Sequence, residues 1–150
     1  MTQELINNNI PTLEQILRLQ EAMIPLRDPL PEPNHYFAKG LYLRELTVPA
    51  GMLIVGKMHK SQHFVIITKG KAEVLSTQGR SIVTAGYVAL SEPGIKRVVL
   101  ALEDTTFINV HLNEDDTQDL EIIEAKYTFP EPNFYLEDNT EGEQLWHLEQ

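Results

Sequence analysis

The chain of 150 residues contains no cysteine. Disulfide scaffolds, thiolate metal sites and cysteine nucleophiles are therefore excluded, and a metal would have to be bound by nitrogen and oxygen ligands. The first ten residues, MTQELINNNI, lack the basic start and the apolar run of a signal peptide, and no apolar stretch has the length of a membrane span. We expect a cytoplasmic protein that makes no contact with a membrane.

Basic residues are also scarce, since 12 lysines and arginines stand against 22 acidic residues and the net charge is −10. A chain of this charge is repelled by a nucleic-acid backbone unless its basic residues cluster, and they do not cluster strongly here. We therefore expect no nucleic-acid partner. The acidic residues are concentrated in residues 113–124 and 131–149, a pattern typical of a solvated surface or tail.

The N-terminal part, residues 1–37, is predicted to contain one short helix and a proline-rich arm. Thr12 and Gln15 form the sequence pattern of a capping box, and apolar residues recur at helical spacing until Pro25. Prolines then dominate residues 25–33, PLRDPLPEP, which favours an extended connector. The length of the chain indicates a single domain overall.

Residues 38–113 have the pattern of an antiparallel β-domain. Runs such as LYLRELTV, FVIITKG and TTFINVHL are short and rich in branched residues, and glycine or proline marks most of the corners between the runs. Eight such runs in about seventy residues favour a jelly roll over an immunoglobulin-like sandwich. The predicted fold class is all-β, with the short N-terminal helix and with extended arms that include an acidic C-terminal arm, residues 114–150.

Two segments resemble the conserved motifs of the cupin superfamily. Residues 51–70 read GMLIVGKMHKSQHFVIITKG and resemble the first motif, and residues 86–97 read GYVALSEPGIKR and resemble the second. In cupins, the first motif contains a His-x-His pair and a glutamate, and the second contains a histidine. Here Lys57, His59 and His63 occupy the three positions of the first motif, and Arg97 occupies the histidine position of the second.

This resemblance implies an RmlC-like double-stranded β-helix. The sequence is similar to small single-domain cupins of unassigned function from tailed phages and prophages, in which His-x3-His, Pro-Gly-x-Lys-Arg and a late Val-His recur. All three patterns occur here, at His59 and His63, at residues 93–97, and at Val110 and His111. A phage-encoded protein would work in the host cytoplasm.

Three histidines are candidate metal ligands. In the fold that the resemblance implies, His59 ends one strand and His63 begins the next, at one mouth of the barrel. The strand that contains His63 would pair with the last strand of the jelly roll, which would bring His111 next to His63. Three neutral imidazoles suit Zn, Ni, Fe, Mn or Cu, although hydrogen-bonded wall residues would produce the same pattern. His35 and His147 are interpreted as surface residues.

Lys57 and Arg97 are candidate ligands for a small anion such as a carboxylate or phosphate. Arginine can bind such a group with two parallel hydrogen bonds. The alternative is that both cations form structural ion pairs with Glu92, Glu103 or Asp104. One or more of Tyr42, Arg44 and Glu45 could also line the cavity, and strand alternation alone does not say which of them face inward.

The sequence leaves several functions open. One is a cupin-fold protein that binds a divalent metal, a small anion or both, with catalytic residues unknown. A second is a protein without enzymatic activity that takes part in phage or prophage interaction or assembly. A third is an enzyme similar to the metal-independent isomerases and epimerases or to the metal-dependent dioxygenases. We also expect a homodimer, because LYLREL and FVIITK carry apolar residues on both faces, with the N-terminal helix or the proline-rich arms laid across the partner.

Overall fold

The computed structural model describes residues 10–26, residue 29 and residues 31–130. Its elements, in chain order, are α1 Leu13–Met23, β1 Asn34–Ala38, β2 Leu41–Val48, β3 Leu53–Val55, β4 His63–Lys69, β5 Lys71–Ser76, β6 Gly79–Thr84, β7 Val88–Ser91, β8 Arg97–Ala101, β9 Thr105–Leu112 and α2 Leu120–Tyr127.

Two antiparallel sheets face each other and form the barrel. The five-stranded sheet has the order β1-β2-β9-β4-β7, and the four-stranded sheet has the order β3-β8-β5-β6. Every one of these strand pairs is antiparallel. The predicted all-β double-stranded β-helix with a short N-terminal helix is confirmed.

The helix α1 begins at the predicted cap. The Thr12 side chain accepts a hydrogen bond from the Gln15 backbone, and the Gln15 side chain accepts one from the Thr12 backbone. Its buried residue Ile16 packs against Val55 and Val98 of the four-stranded sheet. The helix therefore covers one side of its own barrel.

The predicted strands agree with the structure in all but two places. The strand β1 was not predicted, because its residues fall in the part interpreted as a connector. The run of residues 52–59 forms only the short strand β3, so the prediction that His59 ends a strand is wrong. The chain leaves the sheet after Val55, and His59 instead forms an isolated β-bridge with Thr128.

Side-chain alternation separates an inner face from an outer face on each sheet. Ile67, Ala72, Val83 and Val99 come from both sheets and form one buried cluster in the interior. Residues at alternate positions point outward, and several of these, including Phe64, are apolar and exposed. The barrel thus has an apolar interior and a partly apolar outer surface.

The acidic C-terminal segment contains a helix that the sequence pattern did not reveal. Asp119 caps α2 by accepting hydrogen bonds from the backbone of Glu121 and Ile122. Ile123 and Tyr127 of this helix pack against Tyr42 on β2. The helix therefore lies over one end of the barrel instead of forming a solvated arm. Residues 131–150 lie outside the described part, and the predicted domain boundaries stay predictions.

In the ranges that the structure describes, no helix combines the length and the hydropathy needed to cross a membrane.

Gly70 at the β4–β5 turn should not tolerate a side chain. Its φ is +87°, and a Cβ there would lie 2.2 Å from the Asp104 carbonyl oxygen and 2.8 Å from the Thr105 Cα. We expect Gly70→Ala to lower the free energy of unfolding by about 4 kcal/mol, because left-handed strain and a backbone clash add together. Gly86→Ala is the matched control, since its φ is +95° but nothing lies within 4 Å. Gly86→Ala should lower the free energy of unfolding by only about 1–2 kcal/mol, as measured by urea unfolding. Equal losses would contradict the clash.

Candidate functional site

His63 and His111 are adjacent at one mouth of the barrel. His63 is the first residue of β4, and His111 is the penultimate residue of β9. The pairing of Phe64 with Val110 in these antiparallel strands places the two histidines side by side, with ring centroids 4.5 Å apart. The predicted proximity of His63 and His111 is confirmed.

His59 reaches the same place from an irregular segment. The backbone on either side of it is bound to the end of α2, through hydrogen bonds from Lys60 to the Tyr127 carbonyl at 2.8 Å and from Phe129 to the Met58 carbonyl at 2.9 Å. The C-terminal segment, rather than a strand, positions this histidine.

The three histidines form a compact cluster. One ring nitrogen from each can be chosen such that all three lie within 4.8 Å of one another. The His59 ring centroid is 4.3 Å from that of His63 and 4.9 Å from that of His111. Ligand nitrogens in a tetrahedral zinc site lie about 3.4 Å apart, as follows from bonds of about 2.1 Å. The cluster is therefore slightly wider than a closed metal site.

All three imidazoles are neutral at physiological pH. Burial is the largest cause, and it lowers the pKa of His59 to about 2, that of His111 to about 3 and that of His63 to about 4. The neighbouring histidines and Arg44 contribute to the lowered pKa values of His59 and His111, whereas the Ser61 backbone partly opposes the shift of His63. Neutral imidazole is the form that binds a metal.

The Nδ1 atoms of His59 and His111 are also buried and have no hydrogen-bond partner among the described residues, whereas the imidazole of His63 interacts with the Ser61 backbone. Buried polar atoms in native proteins nearly always have a partner, so unpartnered atoms call for an explanation such as a bound ion. The donor set and the unpartnered nitrogens both fit a divalent transition metal held by three imidazoles.

Tyr42 and His35 extend this polar mouth. Tyr42 lies opposite His111 in the β2–β9 pair, and their rings stack with centroids 5.9 Å apart. A hydrogen bond of 2.7 Å joins the Tyr42 hydroxyl to His35 Nδ1, and burial raises the pKa of Tyr42 to about 12. The interpretation of His35 as a surface residue is wrong, because β1 places it beside the cavity. The sequence did not indicate this, because β1 was not predicted and alternation alone does not say which residues face inward. His147 lies outside the described residues.

Lys57 lines the cavity but is neutralised by a residue that the sequence did not suggest. Its ammonium group forms an ion pair with Glu124 of α2, and the two side chains are only 6% and 11% exposed. Two of the three predicted partners form other contacts, since Glu92 accepts a hydrogen bond from Gln62 and Asp104 accepts one from the backbone of Ala50. The role of Lys57 as an anion ligand stays a prediction.

Arg97 and Arg44 line the same cavity. Arg97 donates a 2.8 Å hydrogen bond to Ser91, and not to the carboxylates that the alternative interpretation assigned to it. On β2, the alternate residues Tyr42, Arg44 and Leu46 face inward and line the cavity. Glu45 belongs to the other set and accepts a hydrogen bond from Asn34. Sequence reasoning left Arg44 undecided because alternation does not say which set of residues faces inward.

The cavity behind this mouth has a volume of about 680 Å³. Its deeper wall is apolar and includes Ile67, Val99 and Phe107, whereas the polar residues are concentrated near the mouth. Sites for small molecules in proteins occupy about 300–1,000 Å³ and combine apolar walls with a few polar groups. The barrel interior has the size and lining of such a site.

No protein-family model matches this sequence, and no curated protein matches it. Among solved structures, a cupin-2 domain containing protein from Shewanella frigidimarina is similar at 10% identity, with a TM-score of 0.48 and coverage of 63% of this chain and 92% of that chain. A conserved protein with a double-stranded β-helix domain from Klebsiella pneumoniae has 18% identity, a TM-score of 0.48 and coverage of 61% and 85%. An RmlC-like cupin family protein from Methanocaldococcus jannaschii has 13% identity, a TM-score of 0.46 and coverage of 55% and 82%. The assignment of the fold rests on the strand order and pairing of this chain itself.

The metal-free protein should lose stability as the pH falls from 6.5 towards 4. The unfolded chain protonates these histidines near their ordinary pKa of 6.5, whereas the folded chain keeps them neutral down to about pH 4. The unfolded state therefore binds more protons in this window, and the free energy of unfolding falls with pH by about 2 kcal/mol per imidazole between pH 7 and pH 5. Urea unfolding in the presence of a chelator, repeated at several pH values, measures this fall in the free energy of unfolding. His111→Asn should reduce the pH dependence, and an unchanged dependence would contradict the lowered pKa of His111.

Proposed function

We propose that the protein binds a divalent transition metal through His59, His63 and His111 at the mouth of its barrel. The observation that carries this proposal is the convergence of three neutral imidazoles, two of which, His59 and His111, have a buried Nδ1 atom without a hydrogen-bond partner in the described part of the chain. Zn, Ni, Fe, Mn and Cu all accept such ligands, and the donor set does not choose among them. A bound metal would supply Lewis acidity next to the cavity.

The surroundings of the cluster support an open site with room for a second ligand. The histidines lie at the edge of the 680 Å³ cavity, and no described carboxylate completes their cluster. Three protein ligands with an open position are typical of sites that bind a small molecule at the metal.

Metal-independent acid–base chemistry is less well supported. A general base works best when its pKa lies near the operating pH. Burial lowers the pKa of His59, His63 and His111 to between about 2 and about 4. These imidazoles are weak bases at neutral pH, which makes the isomerase-like alternative less favourable than metal binding.

Removing one histidine should remove the metal. We expect His63→Ala and His111→Ala, purified without a metal-affinity tag, to lose at least about 100-fold in metal affinity, because even residues behind the ligands contribute 10- to 100-fold. Elemental analysis by plasma mass spectrometry measures the content. Added Zn²⁺ or Ni²⁺ should raise the unfolding temperature of the unsubstituted protein and not that of the variants.

His35→Ala is the matched control, because His35 lies beside the same cavity but outside the cluster. It should retain its metal. The proposal fails if the His63→Ala and His111→Ala proteins contain as much metal as the control.

An apolar row on the outer face of the five-stranded sheet supports a second proposal, that the protein is a homodimer. Tyr36, Leu43, Val110, Phe64 and Leu90 are paired neighbours and form one apolar row across all five strands. Tyr36, Phe64 and Leu90 are each about half exposed.

This row lies at the centre of a sheet face that could form the middle of a dimer interface. Five strands at about 4.8 Å spacing and six residues at about 3.3 Å give a face of roughly 20 Å by 20 Å, or about 400 Å². A stable interface needs about 800 Å² from each partner, so this face would supply about half of it and the surface around the face would supply the rest. We propose that a second copy of the chain covers this face. The net charge of −10 opposes association only at long range, where salt screens it.

Light scattering at micromolar concentration should give twice the chain mass of 17.1 kDa. Phe64→Glu should give a monomer, because it places a charge within the apolar row. Ile82→Glu is the matched control, since Ile82 is also 50% exposed but lies on β6 in the other sheet. It should remain dimeric. A monomeric unsubstituted protein, or equal dissociation of both variants, would rule out this interface.

A further inference from the structure

Two guanidinium groups enter the cavity from opposite sheets. Arg44 projects from β2 and Arg97 from the start of β8, and both line the cavity. One terminal nitrogen of Arg44 is buried and has no hydrogen-bond partner among the residues that the structure describes. Arg97 uses one of its nitrogens on Ser91. At least one donor group of Arg44 is therefore available to a ligand.

Neither arginine forms an ion pair with a described carboxylate. The buried Glu124 is paired with Lys57, and Glu73 is paired with Arg80 at the edge of the cavity. The interior thus carries two uncompensated positive charges in a protein of net charge −10. Both arginines are partly buried, and a charge that is partly removed from water without a partner is costly, which favours the binding of an anion.

Arg44 lies one layer further into the barrel than His111, whereas Arg97 reaches the layer of the histidines, because its hydrogen-bond partner Ser91 is paired with His63. On the inner face, Tyr42 is opposite His111 near the mouth, and the next inward pair is Arg44 and Asn109. Leu46 and Phe107 form the pair below it. Both arginines are close enough to His59 to lower its pKa by charge repulsion. A ligand bound at the arginines would thus touch the histidine cluster at one end and apolar side chains at the other.

We propose that Arg44 and Arg97 bind the carboxylate of a small organic acid whose apolar body occupies the barrel interior. The guanidinium groups provide planar donors that match a carboxylate, and Asn109 offers an amide in the same layer. This organic acid would be the ligand of the site proposed above. The proposed metal would contact only the end of the ligand that faces the histidines, so binding at the arginines does not depend on it.

The apolar wall favours an organic acid over an inorganic anion. Phosphate or sulfate would place oxygens next to Leu46, Ile67 and Phe107, where no hydrogen-bond donor meets them. An alkyl or aryl group instead gains from burial against the same side chains.

The test is calorimetric titration of the full chain, in a chelator, with acetate, butyrate, hexanoate and octanoate. We expect affinity to rise about threefold to fourfold for each buried methylene, until the cavity is full. Hexanol, with the same chain and no charge, should bind at least tenfold more weakly than hexanoate. Inorganic phosphate should also bind at least tenfold more weakly than hexanoate.

Substitutions separate the role of the arginines from general effects on the fold. Arg44→Gln and Arg97→Gln should each weaken hexanoate binding at least tenfold, and Arg44→Lys should not restore it, because the planar fork is lost. Arg44→Met should raise the unfolding temperature of the ligand-free protein, since it removes an unpartnered buried charge. Arg18→Gln is the control, because Arg18 lies on α1, is exposed and is paired with Glu14. It should bind hexanoate unchanged.

These experiments test hexanoate binding independently of metal binding. Binding of hexanoate in chelator that depends on both arginines supports it, even if the protein contains no metal. Equal affinity for hexanol and hexanoate, stronger binding of phosphate, no binding with or without metal, or no effect of Arg44→Gln and Arg97→Gln would overturn it. A loss of metal from His63→Ala, with hexanoate binding retained, would support both proposals.

Discussion

The register of β9 between its two neighbours is the constraint on which the site depends. The strand pairs with β2 and with β4, so that Phe107, Asn109 and His111 face the interior. A shift of one residue would exchange the inner and outer sets, because side chains alternate with a period of two. Apolar residues occur on both faces of β9 and do not fix this register by themselves.

Contacts at the two ends of β9 hold the register. At its start, the close approach of Gly70 to the Thr105 backbone leaves no space for a side chain. Beyond its end, the Asn113 backbone donates a 2.9 Å hydrogen bond to the Gly40 carbonyl. The positions of His111 and Asn109 therefore follow from backbone contacts outside the cavity.

The cavity combines neutral bases with uncompensated cations, which is an unfavourable arrangement for an empty interior. His59, His63 and His111 are kept neutral by burial, while Arg44 and Arg97 have no described carboxylate partner. The stability of the fold comes from elsewhere, from the apolar clusters and the strand ladders. Local arrangements that reduce stability without an evident structural gain are common at functional sites.

The sequence by itself determined α1 and the strands from β2 to β9 in their order, because these depend on interactions between near neighbours, but it did not reveal β1 or α2. The capping box at Thr12 and Gln15 involves residues three apart, and alternation within LYLRELTV or TTFINVHL indicates a strand wherever the strand is placed. The resemblance to cupin motifs then supplied the pairing that brings His63 to His111. These predictions needed no knowledge of distant contacts.

Only the tertiary structure decided which polar groups are balanced and which remain available. Lys57 is neutralised by Glu124, which lies on a helix that the acidic composition of its segment concealed. Arg44 faces inward because β2 pairs with β9 in one register, and His59 reaches the cluster because the end of α2 binds its backbone. The physical reason is that charge balance and burial are set by residues far apart in the chain, whereas sequence patterns report only on neighbours.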